Sequence, residues 1–114
     1  IVLSRPIPGR KNLCSIVPLS TTKPKIELAH HFRLVLDPPL PRPYDSPEMW
    51  VKGDMIAAVG FHRLDLIRVG RDETGTRRLY RLDPITPSQL RDIRRCILHG
   101  LGIFELTKHL SQLS

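Results

Sequence analysis

Five prolines fall within the eleven residues from Asp37 to Pro47, and they constrain the fold more than any other feature of the chain. Proline holds φ near about −65°, has no backbone N–H and biases the residue before it away from helix. No helix or central strand runs through such a segment. It is read as an exposed loop in extended polyproline II geometry. Pro38 to Pro41 spells Pro-Pro-Leu-Pro, a pattern shared with ligands of SH3-type domains, but a stiff loop is the plainer reading.

The other breakers divide the rest into short pieces. Ile1–Ser4 reads as a short strand, and the basic loop from Arg5 to Asn12 ends it with two prolines and a glycine. Leu13–Leu19 is the next strand and closes at Ser20-Thr21-Thr22. Pro18 inside it places that end at an edge, a bulge or a mouth. Lys23-Pro24-Lys25 turns the chain, and His31–Leu36 alternates polar and apolar residues as a strand does. Met49–Val59 is the strongest strand candidate, interrupted by a bulge or bend at Gly53-Asp54. Leu64–Val69 reads as a strand or a turn of helix. Arg71–Gly75 is a hairpin-type loop, followed by a strand over Thr76–Leu82 with one basic face.

Thr86-Pro87-Ser88-Gln89 opens a helix, with Thr86 as N-cap, Pro87 at the first helical position and Gln89 completing a capping box. Leu90, Ile93, Ile97 and Leu101 follow at helical spacing, and Gly100 and Gly102 supply the stop. Ile103–Leu113 reads as a second, weaker helix. The expected architecture is mainly β with a C-terminal helix: a small open barrel over 1–102, closed by a helix at about 86–101, and a helical tail over 103–114. Hydrophobic residues at 40% and charged residues at 25% suit one packed domain of 114 residues rather than a disordered chain.

Eighteen Lys and Arg against eleven Asp and Glu give a formal charge of +7. Such a balance favours an anionic partner: nucleic acid, an acidic protein or a membrane surface. Aromatic residues are only 5%, which argues against a sheet of base-stacking aromatics. No apolar run reaches the roughly 18 residues of a membrane span, and no secretory signal follows Ile1. Cys14 and Cys96 lie far apart and are expected to be buried thiols in a reducing cytoplasm. The first residue is Ile, so the chain is expected to begin inside a longer gene product.

The common enzyme signatures are absent: no Gly-rich phosphate loop, no GxSxG, no HExxH. No cofactor and no metal is expected. The adjacent His30 and His31 would point to opposite faces of a strand and chelate poorly. His62 follows a strand and is read as a surface histidine. Ser20 and Thr21 end an apolar strand, where their hydroxyls either close a turn or meet a phosphate. Trp50, Lys52 and Asp54 share a face by period two, suited either to stacking a base and holding a phosphate or to a half-buried Trp beside a Lys–Asp pair. Arg77, Arg78, Arg81, Arg91, Arg94 and Arg95 carry much of the positive charge, interspersed with acids.

Taken in order, these landmarks resemble the PemK/MazF family of toxins from type II toxin–antitoxin systems. The resemblance rests on Ile1–Ser4, a basic loop, Leu13–Thr22, then Trp50–Val59 with its acidic Asp54, and a helix opening at Thr86-Pro87. It extends to about Leu101. The Pro-rich segment and the tail are less typical. The resemblance implies an SH3-like barrel with a C-terminal helix, shared with gyrase-poisoning toxins. It also implies a homodimer and cytoplasmic action on single-stranded RNA. The implied reaction is metal-independent cleavage by attack of the RNA's own 2′-hydroxyl. Ser20 and Thr21 would stand at the phosphate, with Lys52 as an electrostatic helper and Trp50, Arg10 and Lys11 along the RNA. An acidic antitoxin protein would compete for the same surface. The family's arginine precedes the strand that starts here at Ile1. Arg5-Pro6 follows that strand and does not take its role, so the chain is expected to lack an N-terminal piece holding the arginine. The rival expectations are a non-catalytic or gyrase-binding module and an inactive fragment.

Overall fold

Where Pro18 interrupts its strand, the chain changes sheets. The computed structural model describes residues 1–4, 8–10, 12–81 and 83–112. Within them, Leu13–Ile16 forms β1 and Leu19–Ser20 forms β2, separated by Val17 and Pro18. The later strands are His31–Val35 (β3), Glu48–Lys52 (β4), Ala57–Gly60 (β5), Arg68–Arg71 (β6) and Arg78–Tyr80 (β7). β1 pairs antiparallel with β5, running from Leu13 opposite Gly60 to Ile16 opposite Ala57. Past the proline, β2 pairs antiparallel with β4 instead, Leu19 opposite Val51 and Ser20 opposite Trp50. Pro18 has no N–H to give, but its carbonyl accepts from Lys52 N at 3.2 Å. The facing strand breaks at the matching place, between Lys52 and Ala57, where the sequence has Gly53-Asp54.

β3 completes a three-stranded sheet in the order β2-β4-β3, with His31 opposite Lys52 and Val35 opposite Glu48. β6 and β7 make a separate hairpin. The first residues lie along the other side of β1: Val2 bridges Ile16, Leu3 N donates to Ser15 O at 2.8 Å and Val17 N to Ile1 O at 3.0 Å. The expected N-terminal strand is thus a single bridge. The architecture is small antiparallel sheets with a C-terminal helix, and the described strands do not close into a barrel.

The helix forms where its capping residues place it. Gln89 N donates to Thr86 Oγ1 and Thr86 N to Gln89 Oε1, both at 3.1 Å, and α1 runs Pro87–Gly100. Ile93, Cys96 and Ile97 are buried on one face and meet Val17, Leu34, Leu36, Met49 and Val51 in the core. Gly102, at φ +75°, supplies the turn out of the helix. Gly100 is the last residue of α1, as expected of a stop, and it also lies at a close crossing over Gly53. The tail is a 3-10 helix, Phe104–Gln112, rather than a second α-helix, and it buries Leu110. Both cysteines are free and buried.

The Pro-rich segment departs from extended polyproline II. It bends back, with Tyr44 N donating to Pro41 O at 2.9 Å, Leu40 packed against the core and the Arg81 guanidinium donating to Pro38 O. Among the described residues, no helix is long and apolar enough to cross a membrane.

Candidate nucleic-acid interface

The hairpin β6–β7 is the most exposed element of the sheet structure. All seven of its strand residues are exposed, so it gains no stability from a core face and relies on its turn. Asp72 organises that turn. Its Oδ1 accepts from Thr74 Oγ1 at 2.9 Å, Thr76 N at 3.0 Å and Arg77 N at 3.2 Å. Gly75 takes φ +72°, where a side chain would be strained.

Slight desolvation pushes the Asp72 carboxyl up. The bonds from Arg77 N, Thr74 Oγ1, Thr76 N and Gly75 outweigh it and hold the group below its ordinary value of 3.8. A depressed folded value stabilises the turn above the ordinary value, and that stability is lost as pH falls through the folded one. The Thr76 and Arg77 amide resonances are expected to stay fixed down to about pH 4 and to move below it. In Asp72→Asn that movement should vanish. A transition midpoint at or above the ordinary value of 3.8 would contradict this.

The turn fixes the register, and the register sets one arginine opposite another. Arg71 lies opposite Arg78 and Arg68 opposite Tyr80. Like charges directly opposite in an antiparallel ladder repel. Arg71 is further braced, its Nη1 donating to Gly75 O at 3.1 Å. Arg77 extends the same basic ribbon. Asp72, an acid within it, is already committed to the turn.

Arg68 also joins the ribbon to a cleft of about 420 Å³. Leu19, Leu40, Met49 and Ile67 give it apolar walls, and Arg42 and Tyr44 of the Pro-rich segment stand over it. Arg42 faces Asp45 at 3.6 Å with its side chain 92% exposed, an ion pair of little strength in water. A cleft of this size is within the range of small-ligand pockets.

Among the described residues, none of the candidate site residues singled out from the sequence lines this cleft. Ser20 is half-buried at the end of β2, next to Leu19 of the cleft wall. Its Oγ accepts from Thr22 N at 3.1 Å, the local turn bond expected of such a serine. Thr21 is exposed beside it. Trp50 does not present an exposed stacking face. It is 3% exposed, between the equally buried Met49 and Val51. β4 is the central strand of its sheet and is covered on both sides, so period-two alternation gives it no open face. Asp54 lies in the turn beyond β4, off the strand that was to align it with Trp50. Lys52 is half-buried at the strand end, opposite His31. Arg10 is exposed before β1 and is not among the cleft-lining residues. Lys11 lies outside the described residues, as do Arg5 and Pro6. Arg42, Tyr44, Arg68 and Arg71 were not singled out. Their signal was faint: cations and an aromatic in a proline loop and at a hairpin.

The histidines also differ from expectation. His30 is in the turn before β3, not in the strand, so alternation does not separate it from His31. The two rings lie 4.3 Å apart, and His30 Nε2 is 3.6 Å from Asp54 Oδ2. Partial desolvation, then the charges of His30 and Lys52, keep His31 below its ordinary value despite Asp54 and Glu27. His62 is exposed, as read. Burial, with Asp54 and Asp92 nearby, pushes the Cys96 thiol up to about 11, so it is no nucleophile at neutral pH. Compared with known protein families, curated proteins and solved structures, the chain matches none.

Proposed function

We propose that this chain is a PemK/MazF-like toxin module that takes single-stranded RNA along the β6–β7 ribbon and into the adjoining cleft. One observation carries the reading: Arg71 and Arg78 face each other across an exposed ladder. Two arginines paired across a ladder concentrate positive charge, and a phosphate bound there offsets their repulsion and accepts charge-assisted hydrogen bonds. Arg68 with Tyr80, and Arg42 with Tyr44, repeat the pairing of a cation with an aromatic that suits successive nucleotides. The +7 charge supplies the long-range attraction.

A small SH3-like barrel is part of this reading. Its support is that residues 13–16 pair with 57–60 and residues 19–20 with 50–51 in two successive antiparallel ladders, with breaks at Pro18 and Gly53. The proposed reaction is attack of a 2′-hydroxyl on the neighbouring phosphorus, which breaks the bond to the 5′-oxygen and leaves a cyclic phosphate. The hydroxyls of Ser20 and Thr21 meet the phosphate, and Arg68 and Arg42 offset the charge that builds on it. The homodimer and the acidic antitoxin belong to the same proposal, the antitoxin competing for the arginines.

A second reading, RNA or partner binding without cleavage, is favoured by Ser20 itself. Its hydroxyl closes a turn with Thr22, and among the described residues no imidazole or carboxylate is hydrogen-bonded to it. One experiment separates the two. The full chain is incubated with unstructured end-labelled RNA in EDTA, with binding read by anisotropy and products by gel. Cyclic-phosphate products that vanish in Ser20→Ala while binding persists are the expected result. Binding without products selects the second reading. Neither binding nor products sinks RNA recognition in both readings and leaves only partner binding.

A further inference from the structure

On the far edge of the central sheet, away from β2, three side chains of metal-ligating type converge. His30 precedes β3, His31 begins it and Asp54 follows β4. One ligand atom from each lies within 4.8 Å of the others. We propose that His30, His31 and Asp54 form a binding site for a divalent transition ion of the zinc class.

The backbone holds these residues together before any ion arrives. β3 and β4 are paired in register up to His31 opposite Lys52. One step further, Gly53 N donates to His30 O at 2.8 Å, so the turns carrying His30 and Asp54 are joined by a hydrogen bond. Gly53 has no room for a side chain: a Cβ there would lie 2.8 Å from His30 O and 2.6 Å from Cys96 O. The two turns and the helix are therefore locked at one spacing, and ligand geometry needs only side-chain rotation.

The chemistry of the set is selective. Two imidazoles and one carboxylate suit zinc and its neighbours in the first transition row, while magnesium and calcium prefer all-oxygen sites. With bonds of about 2.05 Å, tetrahedral ligand atoms sit roughly 3.3 Å apart. The His30–Asp54 separation of 3.6 Å is already close to that, and the rest of the set has to close by roughly 1.5 Å at most. Three protein ligands leave a position open to solvent. His31 also lines a cleft of about 270 Å³ with Phe32, Arg95 and His99, so an ion there would border a space that admits a small ligand.

Two features oppose binding and set its strength. Lys52 places a positive charge across the ladder from His31. Leu28 N donates to His31 Nδ1 at 3.1 Å, and ligation by either ring nitrogen disrupts that bond: Nδ1 directly, Nε2 by moving its proton to Nδ1. Both features make the site weaker than a structural zinc site.

The test titrates Zn²⁺ alone into the full chain by calorimetry and repeats it with Co²⁺ for its visible absorption. One ion per chain is expected, with cobalt bands of low-symmetry four- or five-coordinate type. Loss of an outer-sphere partner costs about 10–100-fold in metal affinity, so loss of a ligand should cost at least as much. His30→Gln and Asp54→Asn are each expected to weaken binding by that factor, and His31→Gln likewise if it folds. His62→Gln and His109→Gln should leave it unchanged. Zn²⁺ should raise the Tm of the native chain but not that of the His30→Gln/Asp54→Asn variant. No binding at about 1 mM Zn²⁺ overturns the proposal. So does binding that survives both ligand substitutions, or that follows His62 or His109 instead.

Discussion

Gly100→Ala is expected to lower the stability of this domain by about 3 kcal/mol. The sign is the informative part. In an exposed helix the same change stabilises by about 0.5–1 kcal/mol, because alanine loses less backbone entropy than glycine. Here α1 crosses β4's end with backbone against backbone. A Cβ at Gly100 would press onto the Gly53 carbonyl, with its carbon at 2.6 Å and Asp54 N at 2.7 Å. These are main-chain atoms of the segment that also meets His30 O and Cys96 O, so no flexible side chain is there to move aside. The last turn of α1 must lift, and Cys96 and Ile97, both buried, lift with it. Urea unfolding of the native chain and the variant measures the difference. A midpoint that stays the same or rises would show that the crossing has slack. Gly53→Ala should behave alike, and the double variant should cost less than the sum, since both press on one contact.

That crossing shows why some of this fold was legible in the sequence and some was not. The capping box at Thr86 and Gln89 is a local device, complete within four residues, and it forms as spelled. Pro18 and Gly53 each mark a strand break by their own backbone chemistry. Which break faces which, and that the Gly100 at the end of the helix also packs on Gly53, depends on partners several tens of residues away. The reading of Met49–Val59 as strand broken at Gly53-Asp54 matches β4 and β5. It could not tell that β4 is central and covered on both faces, so it offered Trp50 to a ligand and the structure gives it to the core. His30 failed for the opposite reason. It lies one residue outside β3, where alternation has no authority, and there it turns towards His31 and Asp54. Ser20 was placed correctly at the end of a strand, and its turn bond to Thr22 is the local chemistry a serine carries anywhere.

Replacing Arg68, Arg71 and Arg78 together by alanine is expected to weaken single-stranded RNA binding roughly 100-fold at about 0.1 M salt. Each phosphate contact to a single strand contributes about −0.7 to the slope of log affinity against log salt. Three lost contacts therefore flatten the slope by about 2, and at a tenth molar that is a hundredfold. The measurement is anisotropy with a labelled oligonucleotide over a range of salt concentrations. A purely structural role for these arginines predicts something else, namely a less stable hairpin. Arg78→Ala removes one of two opposed charges from an exposed ladder, so its Tm should hold or rise while its RNA affinity falls. Stability and binding moving in opposite directions is the mark of a surface built for an anion. Arg33→Ala serves as the charge control, because Arg33 already has Glu48 at 2.6 Å and sits on β3. If Arg33→Ala flattens the slope as much per charge as the ribbon variants do, the attraction is a diffuse effect of the +7 chain and the ribbon has no special part in it.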